Sequence, residues 1–152
     1  MTLVEVARKY LYVRESPKGS NRSPEIDRWL SSVGSPLGSA WCAAFTHGCL
    51  KEAVDTRKFR RSARVQDMVD AGTLLPAVEA MVGDLVVFYF AGLKRYAHIG
   101  IVVGRSKNRL VCIEGNTVGP HDSGDQREGY GCFEKSRTVS ERIKVLRPLT
   151  RT

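Results

Sequence analysis

A thiol, an imidazole and a carboxylate occur in this 152-residue chain in the order nucleophile, base, orienting acid: Cys42, His98, Glu114. A cysteine attacks carbonyl carbon as the thiolate, and a helix N-terminus beside an imidazole lowers its pKa from about 8.5 to between roughly 3.5 and 7.5. Cys42 lies in Gly38-Ser39-Ala40-Trp41-Cys42-Ala43-Ala44-Phe45, where an amphipathic helix begins. In such a set His98 takes and returns the proton, while Glu114 fixes the ring tautomer and supports its positive charge. The chemistry is that of a cysteine hydrolase, with the Cys42 backbone N–H as an oxyanion donor.

The elements that must position these groups are legible from periodicity. Cys42, Phe45, Thr46, Cys49, Leu50 and Ala53 recur at three and four residues, which places them on one helical face. With Ser39 as the N-cap, Cys42 takes the third helical position. Upstream, Thr2 to Tyr12 reads as a helix, and Ser23-Pro24-Glu25 is an N-cap with proline at the first helical position, followed by Ile26, Trp29 and Leu30 and closed by Gly34. A weaker helix, Ser62 to Ala71, stops at Gly72.

After Gly83-Asp84 the pattern changes to β-branched and aromatic runs: Leu85–Phe90, Ala97–Gly104, Arg109–Glu114, Gly131–Lys135 and Arg142–Leu146. Helices first and strands afterwards imply an α+β domain with an antiparallel sheet of about five or six strands. The length fits a single domain over residues 1–152. One long loop, Thr117 to Tyr130, is of a length that is functional or mobile in compact domains.

The second and third of these strands form a hairpin around Ser106-Lys107-Asn108. A turn centred on Lys107 sets His98 opposite Asn116 with Glu114 on the diagonal, and a register two residues over sets His98 opposite Glu114 itself. In both, His98, Glu114 and Asn116 share a face; a one-residue slip separates acid from imidazole. The His98 face, with Gly100, Val102, Leu110 and Cys112, is the expected floor for the Cys42 helix, and Gly100 permits close approach.

Composition bounds the rest. Lys and Arg number 24 against 16 Asp and Glu, a formal charge of +8 that favours polyanionic partners. The densest basic stretch is Arg57-Lys58-Phe59-Arg60-Arg61-Ser62-Ala63-Arg64, which reads either as a solvated turn or as a polyanion-facing patch. No recognition-helix, zinc-finger or RNA-binding aromatic pattern accompanies it, so no specific nucleic-acid partner is expected. The cysteines Cys42, Cys49, Cys112 and Cys132 have neither disulfide-framework nor metal-ligand spacing with His47, His98 or His121, and no metal or cofactor is expected. Charge within the first residues argues against a secretory signal, and the longest apolar run, Leu85 to Gly92, is far short of the roughly 20 residues of a membrane span. Synthesis in a reducing cytoplasm, with no transmembrane segment, is the simplest expectation.

Four blocks in order, Trp41-Cys42-Ala43-Ala44-Phe45, Gly83-Asp84-Leu85-Val86-Val87-Phe88, His98-Ile99-Gly100-Ile101-Val102 and Ile113-Glu114-Gly115-Asn116-Thr117, resemble the CHAP domains (cysteine, histidine-dependent amidohydrolase/peptidase) of the papain-like superfamily. The resemblance covers about residues 21–149. It implies a papain-like, NlpC-type fold with the nucleophile at a helix N-terminus, Cys42 as nucleophile, His98 as base, Glu114 as orienting acid and Asn116 as a fourth polar member. It also implies a peptidoglycan substrate, cleaved as an amidase or endopeptidase, in a setting such as a phage endolysin. Such an enzyme acts at the bacterial wall as a monomer and reaches it through a holin-type lesion or a secretion machine. Ser31 to Ala40 contains no acid, so the calcium loop of some relatives is not expected. Trp41 is a candidate wall of the substrate cleft. The competing readings are an injected antibacterial amidase effector and a catalytically silent basic binding module.

Overall fold

Capping chemistry starts the helical half. Thr2 accepts a hydrogen bond from the Glu5 N–H, and the Glu5 carboxylate accepts one from the Thr2 N–H, a reciprocal cap on α1 (Leu3–Lys9). Ser23 caps α2 (Pro24–Ser32) by accepting from the Ile26 N–H, with Pro24 at the first position where a missing N–H costs nothing. The computed structural model, which describes residues 1–57, 59–119 and 129–149, continues with α3 (Cys42–Glu52) and α4 (Val65–Asp70). The long loop expected over Thr117 to Tyr130 falls mostly outside the described residues, as does His121.

The start of α3 differs from the sequence expectation. Trp41 is its N-cap and Cys42 its first residue. Ser39 is taken up in the preceding turn, where its hydroxyl donates to the Pro36 carbonyl at 2.6 Å, so it does not cap the helix. Cys42 remains in the first turn, among the N–H groups that have no partner inside the helix.

The strands are β1 (Leu75–Pro76), β2 (Leu85–Phe90), β3 (Arg95–Ser106), β4 (Arg109–Thr117), β5 (Gly131–Thr138) and β6 (Ile143–Leu146). They form one six-stranded sheet in the order β1-β6-β2-β3-β4-β5 with every pair antiparallel. The architecture is therefore α+β, with short helices packed on an antiparallel sheet.

The β3–β4 hairpin contains both a slip and its correction. Next to the turn, Ser106 pairs with Arg109 and Gly104 with Val111, a register centred between Lys107 and Asn108 that alone would separate His98 from Glu114. A bulge at Val103 restores the register centred on Lys107, pairing Val102 with Cys112 and Ile101 with Ile113. Continuing it sets Gly100 against Glu114 and keeps His98 and Glu114 on one face.

Helix α3 lies on the other face from the one expected. Phe45 and Cys49 pack with Leu85, Val87, Ile99, Ile101 and Ile113, alongside Leu3 and Val6 of α1 and Ile26 and Trp29 of α2. Val86, Val102, Leu110 and Cys112 instead form a second cluster with Ala77, Ile143 and Val145. The larger β-branched residues alternate onto the first face, and that face takes the helices. Gly115 makes the fit possible, since a Cβ there would lie 2.9 Å from both Phe45 and Trp41.

Candidate active site

Cys42 opens α3 and keeps 6% of its surface exposed, while Ala43, Ala44 and Phe45 behind it have none. The first turn thus presents one reactive group. The other three cysteines are buried and free, and burial pushes the thiols of Cys49, Cys112 and Cys132 up, which keeps them protonated and inert.

His98 projects from β3, and its Nε2 lies 2.7 Å from Glu114 Oε1 on β4. Its Nδ1 has no hydrogen-bond partner among the described residues, and Cys42 lies near enough to act on the charge of the ring. Burial pulls the imidazole pKa down, but hydrogen bonding to Cys42 and Glu114 and the charges on both outweigh it and raise the value to about 9. The ring is therefore held as imidazolium at neutral pH. His98 and Glu114 are in direct contact, and the charge of the ring also responds to Cys42.

Glu114 has no exposed surface, so burial alone would push its pKa up. Hydrogen bonds and charge from His98 and Arg137 hold it below the ordinary carboxylate value. Arg137 is the member that sequence reasoning missed. Its Nε donates to Oε2 at 2.9 Å and its Nη2 to Oε1 at 2.5 Å, a two-pronged clamp. The guanidinium lies 4.6 Å from the centre of the Phe88 ring, and Phe88 in turn lies 5.5 Å from the His98 ring.

Asn116 is buried at the β4 irregularity between Glu114 and Thr117, with a left-handed backbone at φ 56°. Oriented so that its polar atoms match their neighbours, its amide accepts from the Trp41 N–H at 3.3 Å and donates to the Gly129 carbonyl at 3.0 Å. It thereby ties β4 to the residue before Cys42.

Trp41 is placed in the core, not on a cleft wall. It has no exposed surface, stacks on Trp29 with ring centres 6.1 Å apart, and donates its indole N–H to Glu15 Oε2 at 2.9 Å. Among the described residues, no three His, Cys, Asp or Glu side chains converge as metal ligands, and no helix is long and apolar enough to cross a membrane.

The fold has solved counterparts. A wild-type endolysin, LysIME-EF1, matches with a TM-score of 0.54 at 14% identity, over 100% of this chain and 66% of that one. Ly7917 matches with a TM-score of 0.49 at 14% identity, over 97% of this chain and 63% of that one. The present chain thus spans somewhat under two thirds of the length of either. No family model and no curated protein sequence matches it.

What the arrangement can do follows from its polarity. An imidazolium that faces a thiol on one nitrogen and an ionised carboxylate on the other stabilises a thiolate and can return a proton to a leaving group. The first turn of an α-helix has backbone N–H groups without partners inside the helix, the kind of donor that an oxyanion accepts from.

Proposed function

We propose that the protein is a cysteine peptidoglycan hydrolase, an amidase or endopeptidase that cuts amide bonds in bacterial wall peptide, with Cys42, His98 and Glu114 as its catalytic unit. The observation that carries this reading is the buried His98–Glu114 contact at 2.7 Å, with Cys42 near enough to act on the charge of the same ring. In the mechanism, the Cys42 thiolate adds to the amide carbonyl carbon and the Cys42 N–H receives the oxyanion. His98 protonates the departing amine, leaving a thioester, and then takes a proton from the water that hydrolyses it. Glu114 holds the imidazole throughout.

The substrate class is supported by the resemblance of the Cys42, His98 and Glu114 blocks to CHAP domains and by the likeness in fold to a protein described as an endolysin. A phage endolysin acting at the host wall is the setting we assign, with an injected antibacterial amidase as the second reading. The positive charge of +8 favours adsorption to an anionic envelope in either case.

The test is digestion of purified sacculi by the wild-type chain, Cys42→Ala and His98→Ala, with released fragments identified by mass spectrometry. Both variants should lose at least several hundredfold in rate, as members of a cooperating unit do. Lysis by Cys42→Ala at the wild-type rate overturns the proposal.

A further inference from the structure

The basic stretch between α3 and α4 takes no part in the Cys42 site. It helps to shape a separate cavity of about 450 Å3, lined by Ser32 at the end of α2, His47, Leu50 and Lys51 of α3, and Phe59 and Arg61 of the connecting segment. Three of these six side chains carry basic nitrogen and none is an acid. Among the described residues neither Lys51 nor Arg61 forms an ion pair. Arg61 is instead fixed in place, its Nε donating to the Ser32 carbonyl and its Nη2 resting over Gly34, where a Cβ would lie 3.3 Å away.

A second observation points to a missing ligand. His47 Nδ1 is buried and has no hydrogen-bond partner among the described residues, although buried polar atoms are nearly always paired. Burial first, and then the charges of Lys51 and Arg61, lower the His47 pKa. Burial and the two neighbouring cations thus act together against a charge on His47, and none of the described lining residues is an acid.

We propose that this cavity binds a phosphate group of an anionic wall polymer, a polyol phosphodiester chain, and so holds the enzyme on its substrate. The anion site stands on the residues just named; the choice of polymer rests on the wall-hydrolase reading. A guanidinium fork, an ammonium and an imidazole N–H together match the several acceptor oxygens of a tetrahedral phosphate better than a planar carboxylate. Nucleic acid fits less well. The cavity is a single concave site, not a track, and the Phe59 ring is covered by the Arg57 guanidinium at 4.9 Å and so is not offered to a base.

The experiment uses the full chain and three probes: glycerol phosphate, poly(glycerol phosphate) and single-stranded DNA of matched charge. Glycerol phosphate should bind saturably and move the His47 ring titration upward in NMR, with the resonance assigned through His47→Gln. Lys51→Gln, at an exposed position, and Arg61→Gln should each weaken that binding about tenfold and leave the digestion of polymer-free sacculi unchanged. Poly(glycerol phosphate) should bind at least tenfold more tightly than the DNA, and the preference should vanish in the two variants.

Absence of saturable phosphate binding, or binding indifferent to Lys51 and Arg61, overturns the site. DNA binding equal to or tighter than polymer binding, with the same dependence on Lys51, overturns the polymer assignment in favour of nucleic acid. If sacculi are not cut at all while phosphate binding through Lys51 persists, the hydrolase reading and the polymer assignment fall and the anion site remains.

Discussion

Arg137 grips both oxygens of Glu114, and one of those oxygens, Oε1, is the atom that meets His98 Nε2 at 2.7 Å. The carboxylate that faces the imidazole is therefore itself held in place from both sides. Without the clamp a fully buried carboxylate would have one partner for two oxygens, and burial would favour its protonated form. Arg137 touches the acid and not the reacting atoms, which makes it a positioning residue.

Arg137→Ala should lower stability by about 3 kcal/mol, because it leaves a buried charge half paired. Urea unfolding measures this directly. Arg137→Lys keeps the charge but not the fork, so it should recover most of the stability while wall-digestion kcat stays roughly tenfold down with KM little changed. Full kcat in Arg137→Lys would show that charge alone suffices and that the clamp geometry does not matter.

The pH response follows from His98. Burial opposes its charge, but bonding to Cys42 and Glu114 raises its folded pKa to about 9, above the ordinary 6.5. A group whose pKa rises on folding stabilises the fold when protonated. Its contribution is complete below about pH 6.5 and disappears as pH climbs through about 9. Wall digestion should lose its imidazolium over the same alkaline range. Glu114→Gln removes two of the raising influences, so both the stability loss and the alkaline limb should move to lower pH. Unfolding midpoints and rates taken from pH 6 to 10 on the two proteins test this, and coincident profiles would contradict it.

Which parts of this site were legible in the sequence depends on how local their causes are. β2 spans Leu85–Phe90 as expected, because its apolar run is bounded by Gly83-Asp84 and Ala91-Gly92. The Ser23-Pro24 start of α2 was equally plain. Ser39 misled because its hydroxyl has a nearer acceptor in Pro36, and no residue type marks Trp41 as a cap. The covered face of β3 was not readable, since Ile99 and Ile101 on one side and Val102 on the other are all apolar. Arg137 escaped because β5, expected to end at Lys135, runs on to Thr138, and because its backbone is set opposite Leu110, so that only the reach of the long side chain brings the guanidinium to Glu114. A bulge such as the one at Val103 has no marker in residue type at all.

Gly100, expected to admit the Cys42 helix, instead makes room for the Glu114 side chain, and one methyl group tests this. A Cβ there would lie 2.6 Å from Glu114 Cγ and 3.1 Å from the Ile113 carbonyl, closer than packed atoms approach. Gly100→Ala must therefore displace the Glu114 side chain or part β3 from β4. Overpacking of this kind costs about 1–3 kcal/mol. Because the displaced atoms belong to the orienting acid, activity should fall by more than the stability loss explains, and the His98 titration should move below 9. An unchanged His98 titration in NMR would mean that the strands part and the carboxylate stays in place.

Trp41 connects the front of the chain to the start of α3, where Cys42 stands. Glu15 accepts from the Trp41 indole on Oε2 and from the Gly19 N–H on Oε1, and with 6% exposure it has little water to replace either. Trp41 is also the N-cap of α3, and its own N–H is held by Asn116. Trp41→Phe removes the indole donor and strands a buried carboxylate oxygen, at a cost of about 1–3 kcal/mol. If the bond contributes as drawn, a double-mutant cycle with Glu15→Ala should give a coupling of about 1 kcal/mol or more, whereas additivity within about 0.5 kcal/mol would leave Trp41 a packing residue alone. The loosened cap should also change the rate at which iodoacetamide alkylates Cys42, a readout that a remote packing defect would leave unmoved.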